Sequence, residues 1–196
     1  MLLDAQGIVK HFGGLTAVNG VSMRVDAGGR VLQLTDPALS DYPFIYIVEP
    51  GDLYFSEDEV KALRRYLLSG GFLMVDDFWG DGEYDNFYLE IKRVFPEREP
   101  QELGLEHPIF HCVFDLKEKP QIPNVLRGTQ SQIPGHPYHG ITWEAEKGPS
   151  AREVHFKALY DDRGRMMAII CHNTDLGDGW ERECDNELYF REFSEK

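Results

Sequence analysis

The sequence predicts an α/β domain built on a mostly parallel, doubly wound sheet, and three observations carry that expectation. Two nearly continuous apolar runs, Phe44-Ile-Tyr-Ile-Val48 and Phe72-Leu-Met-Val-Asp76, read as strands covered on both faces. A capped amphipathic segment lies between them, so the order strand, helix, strand implies a parallel crossover. Farther on, Glu153–Tyr160 and Arg165–His172 flank Asp161-Asp-Arg-Gly164 and read as an antiparallel hairpin.

Taken in order, Val31-Leu-Gln-Leu34 is a first short β-rich run, and Phe44–Val48 is expected as a central strand. Ser56-Glu-Asp-Glu59 is a capping box, in which hydroxyl and carboxylate each satisfy a free amide of the first helical turn. The helix then runs to about Ser69, with Val60, Leu63 and Leu67 on one face and Lys61, Arg64 and Arg65 toward water. Gly70-Gly71 ends it. Phe87, Tyr88, Ile91, Val94 and Phe95 mark a second amphipathic helix closed by Pro96. The stretch from Gln101 to Trp143 is proline-rich and lacks long periodicity, so it reads as a loop-rich excursion over one end of the sheet. Asn186–Phe193 opens a last helix near the end of the chain.

Composition narrows the function. The 196 residues hold 20 Lys and Arg against 34 Asp and Glu, a net charge of −14, which disfavours a surface that tracks phosphates on nucleic acid. The apolar runs fall far short of the roughly 20 residues a membrane-spanning helix needs, and the start of the chain has no apolar signal-peptide core. Cys112, Cys171 and Cys184 cannot all pair with one another, so a reducing, cytoplasmic setting is expected.

Two resemblances bear on identity. Residues 1–29, beginning Leu2-Leu-Asp-Ala-Gln-Gly-Ile-Val-Lys-His-Phe12, resemble the opening of the ATP-binding subunit of a branched-chain amino-acid ABC transporter, where the aromatic matching Phe12 stacks on adenine. The Gly-rich phosphate loop that should follow is absent, and Gly29-Arg-Val-Leu-Gln-Leu34 stands in its place. Leu68-Ser-Gly-Gly71 and Phe72–Asp77 resemble the transporter signature and Walker B strand, but here they abut, as a helix end followed by a strand would. The remote alternative is therefore a transporter ATP-binding fragment without ATPase activity.

From about Arg30 to Lys196 the chain resembles the bacterial domain of unknown function family 4159. The match rests on Leu34-Thr-Asp-Pro37, Asp41-Tyr-Pro-Phe44, the run Leu63–Gly80, Arg93-Val-Phe-Pro96, His107-Pro-Ile-Phe-His111 and Cys171–Glu181. The resemblance implies a flavodoxin-like, class I glutamine-amidotransferase-like fold with its chemistry at the carboxyl ends of the strands. It also implies a setting among envelope-related genes. Measured against that family, the chain reads as carrying a foreign segment at residues 1–29, which is no independent domain, and as cut short at its carboxyl end. A missing strand leaves an unpaired edge, a route to a homodimer.

In amidotransferase-like folds the nucleophile stands on a sharp turn after a strand, which here falls at Asp76-Asp-Phe-Trp-Gly80. No Cys or Ser is present there. Asp76, Asp77 and Trp79 are therefore expected as ligand-binding residues, and the pleat allows only one of the two carboxylates to face a pocket; the alternative is that both cap the next segment. Cys171-His-Asn-Thr-Asp-Leu-Gly-Asp-Gly-Trp180 follows a strand, and an imidazole beside carboxylates suits proton transfer. His172, Asp175 and Asp178 are thus the catalytic candidates, with Asn173 and Trp180 binding ligand. A turn built by Asp, Asn and Gly and anchored by Trp180 explains the same residues structurally. His107 and His111 lie four apart, as two metal ligands on a helix would, or as hydrogen-bonded members of a turn that buries Ile109 and Phe110.

The leading expectation is a non-catalytic module holding a small polar ligand or a protein, with no cofactor. The alternative is a hydrolase, assisted by a divalent metal or dependent on His and Asp.

Overall fold

The structure is a computed structural model. It describes the backbone of residues 3–12 and 15–25 and the whole of residues 30–182 and 186–194; Cys184 and the Phe12 side chain lie outside the described residues. The chain divides into two compact units, Met1–Gln33 and Leu34–Lys196. The first contains an antiparallel pair, β1 (Leu3–Phe12) and β2 (Leu15–Val25), which runs from Leu3 opposite Val25 to Phe12 opposite Leu15 with register shifts between Ala5 and Ile8, Ile8 and Lys10, and Lys10 and His11.

The second unit carries a five-stranded sheet. Its strands are β3 (Phe44–Val48), β4 (Phe72–Asp76), β5 (Gln101–Glu102), β6 (His155–Tyr160) and β7 (Met166–His172), in the spatial order β3-β4-β7-β6-β5. β3, β4 and β7 run parallel, whereas β6 is antiparallel to β7 and β5 to β6. The sheet is mixed rather than mostly parallel. The cause is the hairpin: it joins through its second strand, β7, which lies parallel to β4 and so forces β6 to run the other way.

Two further expectations change. Val31–Leu34 forms no strand but leads into a 3-10 turn, Pro37–Asp41, capped by the Asp36 carboxylate on the Ala38 amide. β3 is an edge strand and β7 the central one. A run of apolar residues reports apolar faces, not paired edges: Ile45 and Ile47 pack into the core, while Phe44 and Val48 on the other face are 50% and 49% exposed.

Helix α1 (Glu57–Leu68) starts where the capping box places it, with Ser56 Oγ accepting from the Glu59 amide and the Glu59 carboxylate accepting from the Ser56 amide. Such a cap is worth about 1 kcal/mol. Gly70 adopts φ 112° to end the helix, and the Gly71 amide donates back to the Tyr66 carbonyl. Helix α2 (Gly80–Val94) buries Phe87, Ile91 and Val94 beside Leu63 and Leu67 of α1, and both helices cover one face of β4 and β7. Each such side chain contributes about 2 kcal/mol of burial. The other face is closed by irregular chain: Leu103, Phe110 and Leu116 pack on Phe72, Met74, Ile169 and Cys171, together with Leu176. Both faces are therefore covered, but only one by long helices.

Three short helices complete the unit: α3 (Val125–Ser131), α4 (Leu176–Glu181) and α5 (Glu187–Tyr189), the last continuing into a π-helical turn, Phe190–Ser194. The buried rings of Tyr189 and Phe193 press against α3, where a Cβ on Gly128 would lie 2.5 Å from the Tyr189 ring and 2.9 Å from that of Phe193. Gly128→Ala is expected to lower stability by about 1–3 kcal/mol in urea denaturation, since overpacking outweighs the roughly 1 kcal/mol of helix propensity gained. A net stabilisation would show that the aromatic pair yields.

Candidate functional site

The three parallel strands end alike. Directly after β3, β4 and β7 stand Glu49, Asp77 and Asn173, with φ of 50°, 58° and 62°; these are the three non-glycine residues of positive φ among the described residues. Such conformations cost on the order of 1 kcal/mol or more each and persist where surrounding bonds hold them. Here each amide bonds the neighbouring chain: Glu49 donates to the Asp76 carbonyl at 3.2 Å, Asp77 to Thr174 at 3.1 Å and Asn173 to Phe78 at 2.9 Å. The strand ends thus form a laced rim.

Asn173, fully buried, fastens that rim to the start of α2. Its Oδ1 accepts from the Gly80 amide at 2.7 Å, and its Nδ2 donates to the carbonyls of Ser150 and Glu153 at 2.8 and 2.7 Å. The amides beside it are also engaged, Trp79 by the Glu83 carboxylate at 2.7 Å and Asp81 by Ser150 Oγ at 3.0 Å. The turn after β4 therefore passes through the left-handed Asp77 into α2, and its Trp79, Gly80 and Asp81 amides serve the protein's own groups.

Beyond the rim opens a cleft of about 600 Å³. Asp77, Trp79, Asp175 and Asp178 line it, joined by Glu49, Glu83, Glu144 and Lys147. Asp77 Oδ1 accepts from the indole of Trp79 at 3.1 Å. Asp175 caps α4 by accepting from the Asp178 amide at 2.8 Å, and Asp178 in turn accepts from the Val125 amide at 2.8 Å. Burial raises the Asp77 carboxyl to about 6 despite the indole bond. Burial, reinforced by the Asp77 charge, raises Asp175 to about 8. Glu144 is also pushed up by burial. The cleft thus holds at neutral pH one carboxyl that keeps its proton beside one that has largely lost it.

The pleat separates the adjacent aspartates. Asp77 faces the cleft, whereas Asp76 is fully buried, accepting from the Tyr46 hydroxyl at 2.7 Å and the Gly177 amide at 2.9 Å. Burial raises the Asp76 carboxyl against the pull of these bonds. A Cβ on Gly177 would lie 2.7 Å from the Tyr46 hydroxyl, so only glycine lets α4 approach this closely.

The other candidates scatter. His172 is buried between the rings of Phe78 and Tyr84, at 4.9 and 5.0 Å, and its Nε2 bonds the Gly80 carbonyl at 3.0 Å. Burial lowers it to about 4, so it is neutral at pH 7 and donates from Nε2 to that carbonyl. Trp180 is 57% exposed, its ring 6.0 Å from that of Tyr46. His107 caps a 3-10 turn, Pro108–His111, with Nδ1 accepting from the Ile109 amide and Nε2 3.3 Å from the Tyr160 hydroxyl. His111 bonds Asp115 at 2.6 Å and the Leu105 carbonyl at 2.8 Å. Both imidazoles are occupied on both nitrogens. Among the described residues no group of three or more His, Cys, Asp or Glu side chains is placed to hold a metal ion.

Sequence reasoning missed Glu49, Glu83, Glu144 and Lys147. Glu49 had a signal, an acidic residue directly after a strand and before Pro50. Glu144 and Lys147 had none, because the irregular chain carrying them reaches the cleft only through tertiary packing.

The model of a family described as Domain of unknown function (DUF4159) matches residues 15–195. The match takes in residues 15–29, half of the stretch assigned by sequence to the transporter resemblance, so the family boundary moves upstream from about residue 30. No curated protein matches the chain. Among the described residues no helix is long and apolar enough to cross a membrane.

Proposed function

Since the chain belongs to the DUF4159 family, whose description carries no reaction, we propose from the site itself that the domain is a non-catalytic module holding a small polar ligand in the cleft at the carboxyl ends of β3, β4 and β7. The observation that carries this reading is the laced rim, three strained strand ends held around one opening. The amidotransferase-like ancestry is part of the same proposal: α2 leaves β4 through a left-handed turn, and Asp77 stands where that fold class places its nucleophile. Engagement of the Trp79, Gly80 and Asp81 amides keeps these three donors from a developing oxyanion and supports binding over acyl transfer.

A titration of isotope-labelled protein with mixed small polar compounds, followed by NMR, tests the reading. Shifts are expected to centre on Asp77, Glu144 and Asp175, with the compounds recovered unchanged. Shifts confined elsewhere would overturn it.

One observation favours a second reading, a hydrolase: Asp77 at about 6 and Asp175 at about 8 are poised as base and acid in one cleft. In that reading Asp178 orients Asp175 through its amide, and His172 positions the turn through the Gly80 carbonyl. Turnover of an ester, amide or glycoside that disappears in Asp77→Asn would establish it.

A further inference from the structure

We infer that residues 141–147 form a lid on the cleft, hinged at Gly140 and Gly148 and latched shut by polar side chains. The segment supplies Glu144 and Lys147 to the lining of the cleft. Its flanks are fixed, since the Gly140 amide donates to the Ser131 carbonyl at 2.9 Å and Asn173 holds the carbonyls of Ser150 and Glu153. Between those anchors no residue from 141 to 148 is buried, and none belongs to the apolar clusters of the core. Among the described residues the backbone bonds of 142–147 stay local, with Lys147 donating to Glu144 and Gly148 to Ala145. Side chains therefore do the holding. Thr142 donates to Gln121 at 2.9 Å, Glu144 accepts from Asn124 and Glu146 from Arg127, both at 2.5 Å, and Lys147 pairs with Glu83.

The hinges are glycines for a backbone reason. Gly140 and Gly148 stand at φ 75° and 96°, and a Cβ at either would meet no atom within 4 Å, so conformation and not crowding requires glycine there. The closed form also carries a cost. Arg127 is only 7% exposed and lies 3.5 Å from the centre of the Tyr138 ring, with Nε and Nη1 buried and without a hydrogen-bond partner among the described residues. Its Nη2 alone is served, by Glu146. Release of Glu146 readmits water to this guanidinium, so opening recovers part of what closure costs. A segment held by four polar side chains against that cost opens at far lower free energy than the core.

The use of this motion, admitting a ligand and closing on it, rests on the reading of the cleft as a ligand site; the motion itself is tested on the full chain without ligand. NMR relaxation dispersion at the amides of 142–147 and the Trp143 indole, together with solvent exchange of the Arg127 Nε proton, reads it. Wild type is expected to show microsecond-to-millisecond exchange confined to this segment. Lys147→Met removes one latch and is expected to raise the open population roughly threefold. Gly148→Ala penalises the closed backbone without a clash and is expected to raise it roughly fivefold or more, with Arg127 Nε exchange rising in step in both variants. Three results would each overturn the lid: no exchange at 142–147 in any of the three proteins, the same exchange throughout α2 and β7, or one Arg127 rate common to all three. If the segment moves as expected but no compound shifts Asp77, Glu144 or Asp175 in the NMR titration, the ligand site falls and the lid stands. If compounds bind there while 142–147 stays rigid, the lid falls alone.

Discussion

Replacing Asn173 with Asp is expected to cost about 3–5 kcal/mol of folding stability at neutral pH, the largest loss of any conservative change at the rim. The side chain is fully buried, and its amide nitrogen donates to two carbonyls, those of Ser150 and Glu153. A carboxylate turns both donations into oxygen facing oxygen and adds a buried charge. Shape and the left-handed backbone are retained, because Asn and Asp tolerate φ near 62° comparably. Protonation restores one donor, so the folded variant holds this carboxyl above its unfolded value, and the loss shrinks as pH falls toward 4. Asn173→Gly separates the parts: it relieves the backbone, forfeits three hydrogen bonds and is expected to cost about 2–3 kcal/mol. Urea denaturation of both variants at pH 5 and pH 8 reads these values. A cost below about 1 kcal/mol for the Asp variant at pH 8 would mean that Asn173 does not fasten the rim.

At Asp175 the expected effect has the opposite sign. Its carboxyl lies at about 8 in the folded protein against a usual value of 3.8. Between these values the folded state holds a proton that the unfolded chain has released, so this residue makes stability fall as pH rises through that window and leaves it unchanged below. Asp175→Asn keeps the oxygen that accepts from the Asp178 amide and removes the titration. The variant is expected to match wild type near pH 3 and to gain with rising pH, reaching about 1–3 kcal/mol at pH 8, well under the ceiling of about 1.4 kcal/mol for each pH unit the window spans. His172 works the other way, since burial lowers it to about 4 and stability rises with pH between there and its usual value of 6.5. That contribution is common to both proteins and cancels in the difference. Melting temperatures of the pair from pH 3 to 9 give the answer. Parallel curves, or a less stable variant at pH 8, would show that Asp175 is not held in its protonated form. A stability cost at a cleft residue supports the proposed use of Asp175 in binding or proton transfer.

Local chemistry was legible and non-local geometry was not. Ser56 and Glu59 announce the start of α1 because both halves of a capping box lie within four residues. The split between Asp76 and Asp77 follows from the two-residue period of a strand. The edge position of β3 could not be read from its apolar run, which records what touches its faces and says nothing of what lies alongside. The start of α2 is hidden because Gly80-Asp-Gly82 has poor helix propensity and is held instead by Glu83, Asn173 and Ser150. Asp175 and Asp178 could be named as site residues, but not their union with Glu144, which only packing brings close. His172 stands next to Asn173 in the chain, yet an imidazole at the end of a strand has two faces to choose from, and the rings of Phe78 and Tyr84 decide which.

The engagement of the Trp79, Gly80 and Asp81 amides also constrains redesign of the turn. A thiol grafted at position 77 would find the Trp79, Gly80 and Asp81 amides already bonded to Glu83, Asn173 and Ser150. Liberating those donors means changing Glu83, Ser150 and Asn173 together, and the last of these unfastens the loop that shapes the opening. Those three donors are released only by giving up bonds that hold the turn against the chain at Ser150 and Glu153.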